Sequence, residues 1–168
     1  MIQTGQRLIL IFSLLFLTVG CDQATKALAR DTLPTTGPLT YFQGMIRLEH
    51  AENPGAFLSL GAQLPEHLRT LIFTVTVALV LISGLIYLLI QKGLDWPQTL
   101  AGSLLLAGGF GNLMDRMVKG TVTDFLNFGI GSWRTGIFNL ADMAIVTAIL
   151  ILVFHQRIQK YFTQLSKI

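Results

Sequence analysis

The sequence predicts an all-α integral membrane protein, a single domain of four transmembrane helices with a small external β-sheet element. Three observations lead there. Of its 168 residues, 52% are hydrophobic and only 12% charged, about half the roughly 25% of an ordinary soluble domain. Such a chain cannot cover itself with polar surface, and lipid is its natural solvent. Long uncharged runs recur along it, and four spans of about 20 residues each leave room only for loops and one small extramembrane element. Finally, the basic residues gather at the ends of those runs. That is membrane topology rather than a nucleic-acid-binding stripe, despite a net charge of +3 and a pI near 9.3.

The first span is read at 8–28. Leu8 to Cys21 is only 14 uncharged residues, so the helix must continue through Asp22 and Lys26 to cross about 30 Å of hydrocarbon. Arg7, the apolar run and Gly20-Cys21 also resemble a bacterial lipoprotein signal peptide. Thr18, however, stands where such signals carry an aliphatic residue, and three further spans follow. Residues 30–66 form an external segment. Within it Ile46 and Leu48 alternate with Arg47 and Glu49, the period of an amphipathic strand that Thr40 to Gln43 would partner.

The second span, 68–90, contains 21 residues without a charge from Thr70 to Ile90, after the helix-start signals Pro65 and Glu66. The third, 96–115, starts at Asp95 and Pro97. A second external segment, 117–135, leads to the fourth span, 136–155, which is apolar except for Asp142. A carboxylate inside a span is costly and points to function.

Arg7, Lys92, Arg157, Lys160 and Lys167 occupy the short tails and the short loop between spans two and three. Those segments, and both termini, are therefore expected on the cytoplasmic side. This orientation collects the polar residues of the spans at the external face. Asp22 and Lys26 lie at the exit of span one, Asn112, Asp115 and Arg116 at the exit of span three, and Asn139 and Asp142 at the entry of span four. Asp124 lies in the loop between the last two. At 1.5 Å per residue, Asp142 and Asn112 sit roughly 20 and 25 Å from the cytoplasmic edge, within the outer leaflet.

Each residue has a plainer explanation. Asp22 and Lys26 are spaced as a helix ion pair, Arg116 would reach lipid headgroups, and Asn139 would cap the fourth helix with Asp142 in its first turn. Capping does not explain so many polar side chains at one face. Ser103, Ala107 and Gly111, with Gly108 and Gly109 beside them, would let span three pack closely on its neighbours.

The chemistry is narrowed by what is missing. A single cysteine, Cys21, excludes an internal disulfide or a multi-cysteine metal site. There is no His-Glu-x-x-His motif, the histidines are scattered, and neither Ser59 nor Ser132 sits in a nucleophile turn. No metal or cofactor is expected. The carboxylates remain. Two of them about 4 Å apart repel by roughly 4 kcal/mol at an effective dielectric near 20, which keeps one protonated near neutral pH while the other activates water.

The motifs in order resemble those of the lipoprotein signal peptidase (signal peptidase II) family. They are Asp-Gln-Ala-Thr-Lys at 22–26, Glu-Asn-Pro-Gly-Ala-Phe at 52–57, Gly-Gly-Phe-Gly-Asn-Leu-Met-Asp-Arg at 108–116, Val-Thr-Asp-Phe at 122–125 and Phe-Asn-Leu-Ala-Asp at 138–142. The resemblance implies an aspartic endopeptidase of the bacterial cytoplasmic (inner) membrane, its site facing the external, periplasmic side. It would cut prolipoprotein signal peptides just before a diacylglyceryl cysteine. It also implies a sheet that cradles substrate and sensitivity to the cyclic peptide globomycin; a monomer in contact with membrane lipid is expected. Asp124 and Asp142 would be the catalytic pair. Asn53, Gly55, Asn112, Arg116 and Asn139 would position substrate or support the pair, with Asp22 and Lys26 in the first-span motif. Many members carry a second alanine where this chain has Gly55-Ala56-Phe57-Leu58, leaving open whether Phe57 or Leu58 faces substrate. Other classes fit less well. A small carboxylate-using transporter would carry polar residues through to the cytoplasmic side, and prepilin- or presenilin-type peptidases use a Gly-x-Gly-Asp block absent here.

Overall fold

A computed structural model of the chain describes residues 3–34, 36–56 and 59–165. Among these residues four long helices carry one small sheet. The helices are α1 (Thr4–Thr32), α2 (Glu66–Ile90), α3 (Trp96–Lys119) and α4 (Leu140–Leu165). The strands are β1 (Leu39–Tyr41), β2 (Ile46–Asn53), β3 (Val122–Ile130) and β4 (Trp133–Arg134), antiparallel in the order β1-β2-β3-β4. Phe57, Leu58 and Lys167 lie outside the described residues.

Among the described residues three helices are long and apolar enough to cross a membrane: α1, α2 and the stretch Leu140–Tyr161 of α4, with mean hydropathies of 1.8, 2.5 and 1.6. Each hides only 11% of its most apolar window inside the protein, so most of that surface is available to lipid. The fourth helix, α3, is 24 residues long but differs in composition, carrying glycines, Asn112, Asp115 and Arg116. Its position explains the difference. It packs against each of the other three helices, and ten of its residues are buried.

Glycines bring the helices together around α3. A Cβ at Gly108 would stand 2.3 Å from the Ala141 carbonyl oxygen of α4. One at Gly109 would strike the Leu81 side chain of α2, and one at Gly111 would come within 2.6 Å of Asp22 Oδ2 on α1. Three glycines in one turn thus face three different helices. The small apolar core, Ile11, Leu81, Leu88, Leu106 and Leu113, lies where α1, α2 and α3 meet.

The helix ends follow from local chemistry. Asp95 and Gln98 form a reciprocal capping box at the start of α3, with Pro97 in the first turn. Gly120 ends α3 in the left-handed conformation, φ 76°. Arg7, read above as a topological charge in the tail, is instead buried on α1. Its guanidinium donates to the carbonyls of Leu89 (2.8 Å) and Gln91, satisfying the C-terminal end of α2. Within α2, residues Thr70–Thr76 are π-helical.

The helices run past the residues assigned to the spans. α1 continues to Thr32, and α4 continues to Leu165, so Arg157 and Lys160 ride on helix rather than in a tail. The larger difference is at 117–135, expected as a loop. It holds β3 and β4, so Asp124 stands on a strand paired with β2. Residues 122–125 are all buried, so this strand shows no inside-outside alternation to read.

Candidate active site

The polar residues converge where the ends of α1 and α3, the start of α4 and the strands β2 and β3 meet. Asn139 precedes α4 and caps it. Its Oδ1 accepts from the Asp142 N–H at 3.0 Å, and its own N–H donates to Asp142 Oδ2 at 3.1 Å. Both the capping and the clustering readings of these residues therefore hold at once. The Asn139 amide group is wholly buried and donates to Asp124 Oδ1 at 2.6 Å and to Asn112 Oδ1 at 3.1 Å. One asparagine thus touches both aspartates.

Asn112 completes the link. Its Nδ2 donates to Asp142 Oδ1 at 2.8 Å, while its Oδ1 accepts from Lys26 Nζ at 2.9 Å. Lys26 is fully buried and is paired with Asp22 at 2.8 Å and Asp115 at 3.4 Å. Asp22 in turn accepts from the Ala141 N–H at 2.9 Å, tying α1 to the first turn of α4. The pair at i, i+4 is therefore no surface ion pair. A buried ammonium left alone would cost several kcal/mol; here two carboxylates and an amide oxygen surround it.

From the other side, Asn53 Nδ2 donates to Asp124 Oδ2 at 3.1 Å. Asn53 also shapes its own turn, with Oδ1 accepting from the Gly55 N–H at 3.0 Å. Gly55 must be glycine, since a Cβ would stand 2.4 Å from the Leu60 carbonyl oxygen. Its carbonyl accepts from Arg116 Nη2 at 2.7 Å. Arg116, for which lipid headgroups were one expectation, thus turns inward onto the 53–60 loop. Its Nε is buried without a hydrogen-bond partner.

The two aspartates differ in surroundings. Asp124 is 4% exposed; Asp142 is half-buried. Burial, with the Asp142 charge adding to it, pushes the Asp124 carboxyl up to about 6, against the opposing bonds from Asn53 and Asn139.

All nine residues singled out from the sequence therefore belong to one connected cluster. Sequence reasoning missed its rear layer. Thr123 is fully buried, donates its N–H to Asp115 Oδ2 at 2.9 Å, and donates its hydroxyl to Glu52 Oε1 at 3.0 Å. Lys119 lies 3.5 Å from Glu52 and 3.7 Å from Asp115. Partial burial would raise the Glu52 carboxyl, but the bonds from Thr121 and His50, with Lys119 nearby, outweigh it and hold Glu52 below the usual range. Only the alternation of Thr121, just before β3, and Thr123 on it, opposite Glu52 on β2, would have signalled this layer. Among the described residues no group of three or more His, Cys, Asp or Glu side chains is arranged to hold a metal ion.

Residues 14–158 match the family model for signal peptidase (SPase) II. The chain belongs to the signal peptidase II family. It is therefore an aspartic-type membrane peptidase that cleaves the signal peptides of lipoproteins. The lipoprotein signal peptidase of Desulforapulum autotrophicum is 34% identical over 139 residues, covering 82% of this chain and 85% of the relative. That of Chlorobium phaeovibrioides is 35% identical over 159 residues, 88% and 90% of the two chains. The fold of this peptidase is also that of a solved bacterial membrane enzyme, with a TM-score of 0.76 at 22% identity. That match covers 93% of this chain and 90% of the other.

Proposed function

We propose that this signal peptidase II cuts the peptide bond immediately before a diacylglyceryl cysteine, using Asp124 and Asp142 as an aspartic pair. The observation that carries the reading is Asn139, whose amide and backbone N–H hold both carboxylates in one frame. Asp124, the buried member with the raised pKa, holds the shared proton. Asp142, the more open one, takes a proton from water as the water oxygen attacks the scissile carbonyl. Asp124 gives its proton to the carbonyl oxygen, forming a gem-diol. On collapse the C–N bond breaks, the amine leaves with the proton held by Asp142, and Asp124 recovers its own from the diol.

The other residues serve the pair. Lys26 faces the acceptor end of Asn112 and so turns its donor end to Asp142. Asp22 and Lys26 hold the first turn of α4 in place. Gly55 and Asn53 shape the loop that meets substrate, and Arg116 holds that loop through the Gly55 carbonyl. α3 completes a bundle of four spans, its polar ends masked by the other helices. The termini face the cytoplasm and the sheet the periplasm, which puts the site in the outer leaflet. There the diacyl chains of the substrate stay in lipid, each buried methylene contributing about 0.8 kcal/mol. The chain acts as a monomer and binds globomycin at this site.

The test is cleavage of one prolipoprotein with and without its diacylglyceryl group, with the new N-terminus identified by mass spectrometry. The lipidated form should be cut before its modified cysteine and the unmodified form at most slowly. Equal rates for the two would refute the lipid-depth reading.

A further inference from the structure

A closed ring of polar contacts lies directly behind Asp124. The Thr123 N–H donates to Asp115 Oδ2 at 2.9 Å; Asp115 lies 3.7 Å from Lys119; Lys119 lies 3.5 Å from Glu52; and Glu52 Oε1 accepts from the Thr123 hydroxyl at 3.0 Å. The hydroxyl also accepts from Lys119 and, at 3.1 Å, from Arg30 Nη1 on α1. The Thr123 carbonyl accepts from Asn139 at 3.4 Å. Every polar atom of a fully buried threonine is therefore engaged, from α1, α3, β2 and the cap of α4.

The register gives this ring its purpose. Glu52 pairs with Thr123, Ala51 with Asp124 and Asn53 with Val122. Successive strand residues point to opposite faces. The Glu52–Thr123 pair thus occupies one face of β2–β3, and Asp124 and the Asn53 that donates to it occupy the other. Covalently, β3 hangs from α3 only through Gly120 and Thr121, and Gly120 caps α3 in the left-handed conformation, its N–H donating to the Arg116 carbonyl at 2.9 Å. The ring adds side-chain ties from α1, α3 and β2 to this two-residue covalent link.

We propose that Thr123 and Glu52 are positioning residues for the peptidase reaction, fastening β2 and β3 from behind so that the Asp124 carboxyl stays in register with Asp142. The proposal rests on the reading of Asp124 as a reacting group. Thr123 is fully buried and the Glu52–Thr123 pair lies on the strand face opposite Asp124, so their loss should act on turnover and not on binding.

Turnover of lipidated prolipoprotein by the full chain tests this, with kcat and KM measured separately and thermal unfolding followed alongside. Thr123→Val keeps the shape and removes the hydroxyl; kcat should fall about 10- to 100-fold, the scale of a small misplacement of a reacting group, with KM within about 2-fold. Thr123→Ser should restore kcat to within about 3-fold of the native enzyme. Glu52→Gln, at a position about one-third exposed, should lower kcat in the same way. The double variant should be no worse than the poorer single one. A fall in unfolding temperature with kcat unchanged, or a loss carried by KM, would overturn the proposal. Asp124→Asn is run beside them. If it stays active, the paired-aspartate reading fails. If it is inactive while Thr123→Val and Glu52→Gln turn over normally, the brace alone fails.

Discussion

At Asn112 the two ends of one amide are told apart by their neighbours. Lys26 carries only donors, so the amide oxygen must face it and the amide nitrogen must face Asp142. Replacing Lys26 with methionine removes that constraint and strands two buried carboxylates, Asp22 and Asp115. The expected result is a loss of at least about 10-fold in kcat together with a lower unfolding temperature, read in the same detergent preparation. The protonation of Asp124 is a second residue-scale matter. Its carboxyl lies above its ordinary value of 3.8, at about 6, so the folded chain binds this proton more tightly than the unfolded one. The stabilisation is complete below about pH 4 and is lost as pH rises through about 6. Relative to Asp124→Asn, which has no such titration, the native chain should lose up to roughly 3 kcal/mol of stability between pH 4 and 7. A difference that stays flat or grows over that range would contradict the assignment. The Asn53 bond opposes the upward displacement, so Asn53→Ala should move the alkaline limb of the rate profile to higher pH.

At the scale of elements, α3 decides how close the other helices come. Gly108 abuts a backbone carbonyl of α4, which cannot yield as a side chain does. Gly108→Ala should therefore cost about 1–3 kcal/mol, seen as a lower unfolding temperature. Gly20→Ala on α1, where nothing lies within 4 Å, should leave it unchanged. The stripe Ser103, Ala107, Gly111 was legible in the sequence, as was the start of α3 at Asp95 and Pro97, since capping and small-residue spacing are local signals. The strand β3 was not. Its first four residues are buried on both faces, and Gly129 and Gly131 suggest loop. The back layer around Thr123 was equally hidden, because a threonine before an aspartate looks like any other until β2 is paired with it.

For the molecule as a whole, hydropathy divides three apolar helices from one mixed helix at their centre, an arrangement that composition alone suggests but cannot order. The five motifs pointed to the family through their residues and their order; two of them open an element, at the starts of β3 and α4, and the other three lie toward the C-terminal ends of α1, β2 and α3. Their connection through Asn139, Asn112 and Lys26 could be seen only once the helices were assembled. The proposed orientation makes a prediction at this scale. In a Cys21→Ser background, a cysteine placed at Gly93 should react with an impermeant thiol reagent only from the cytoplasmic side, and one at Glu49 only from the opposite side. The reverse pattern would put the site on the wrong face.

The central claim is that Asp124 and Asp142 act as one pair, and the most direct measurement is turnover of lipidated prolipoprotein by Asp124→Asn and Asp142→Asn, each compared with the native chain in the same membranes. Both variants should insert and keep their folded signature while losing turnover by at least about 1,000-fold, as expected when one member of a catalytic unit is removed. Native-like cleavage by either variant would contradict the account.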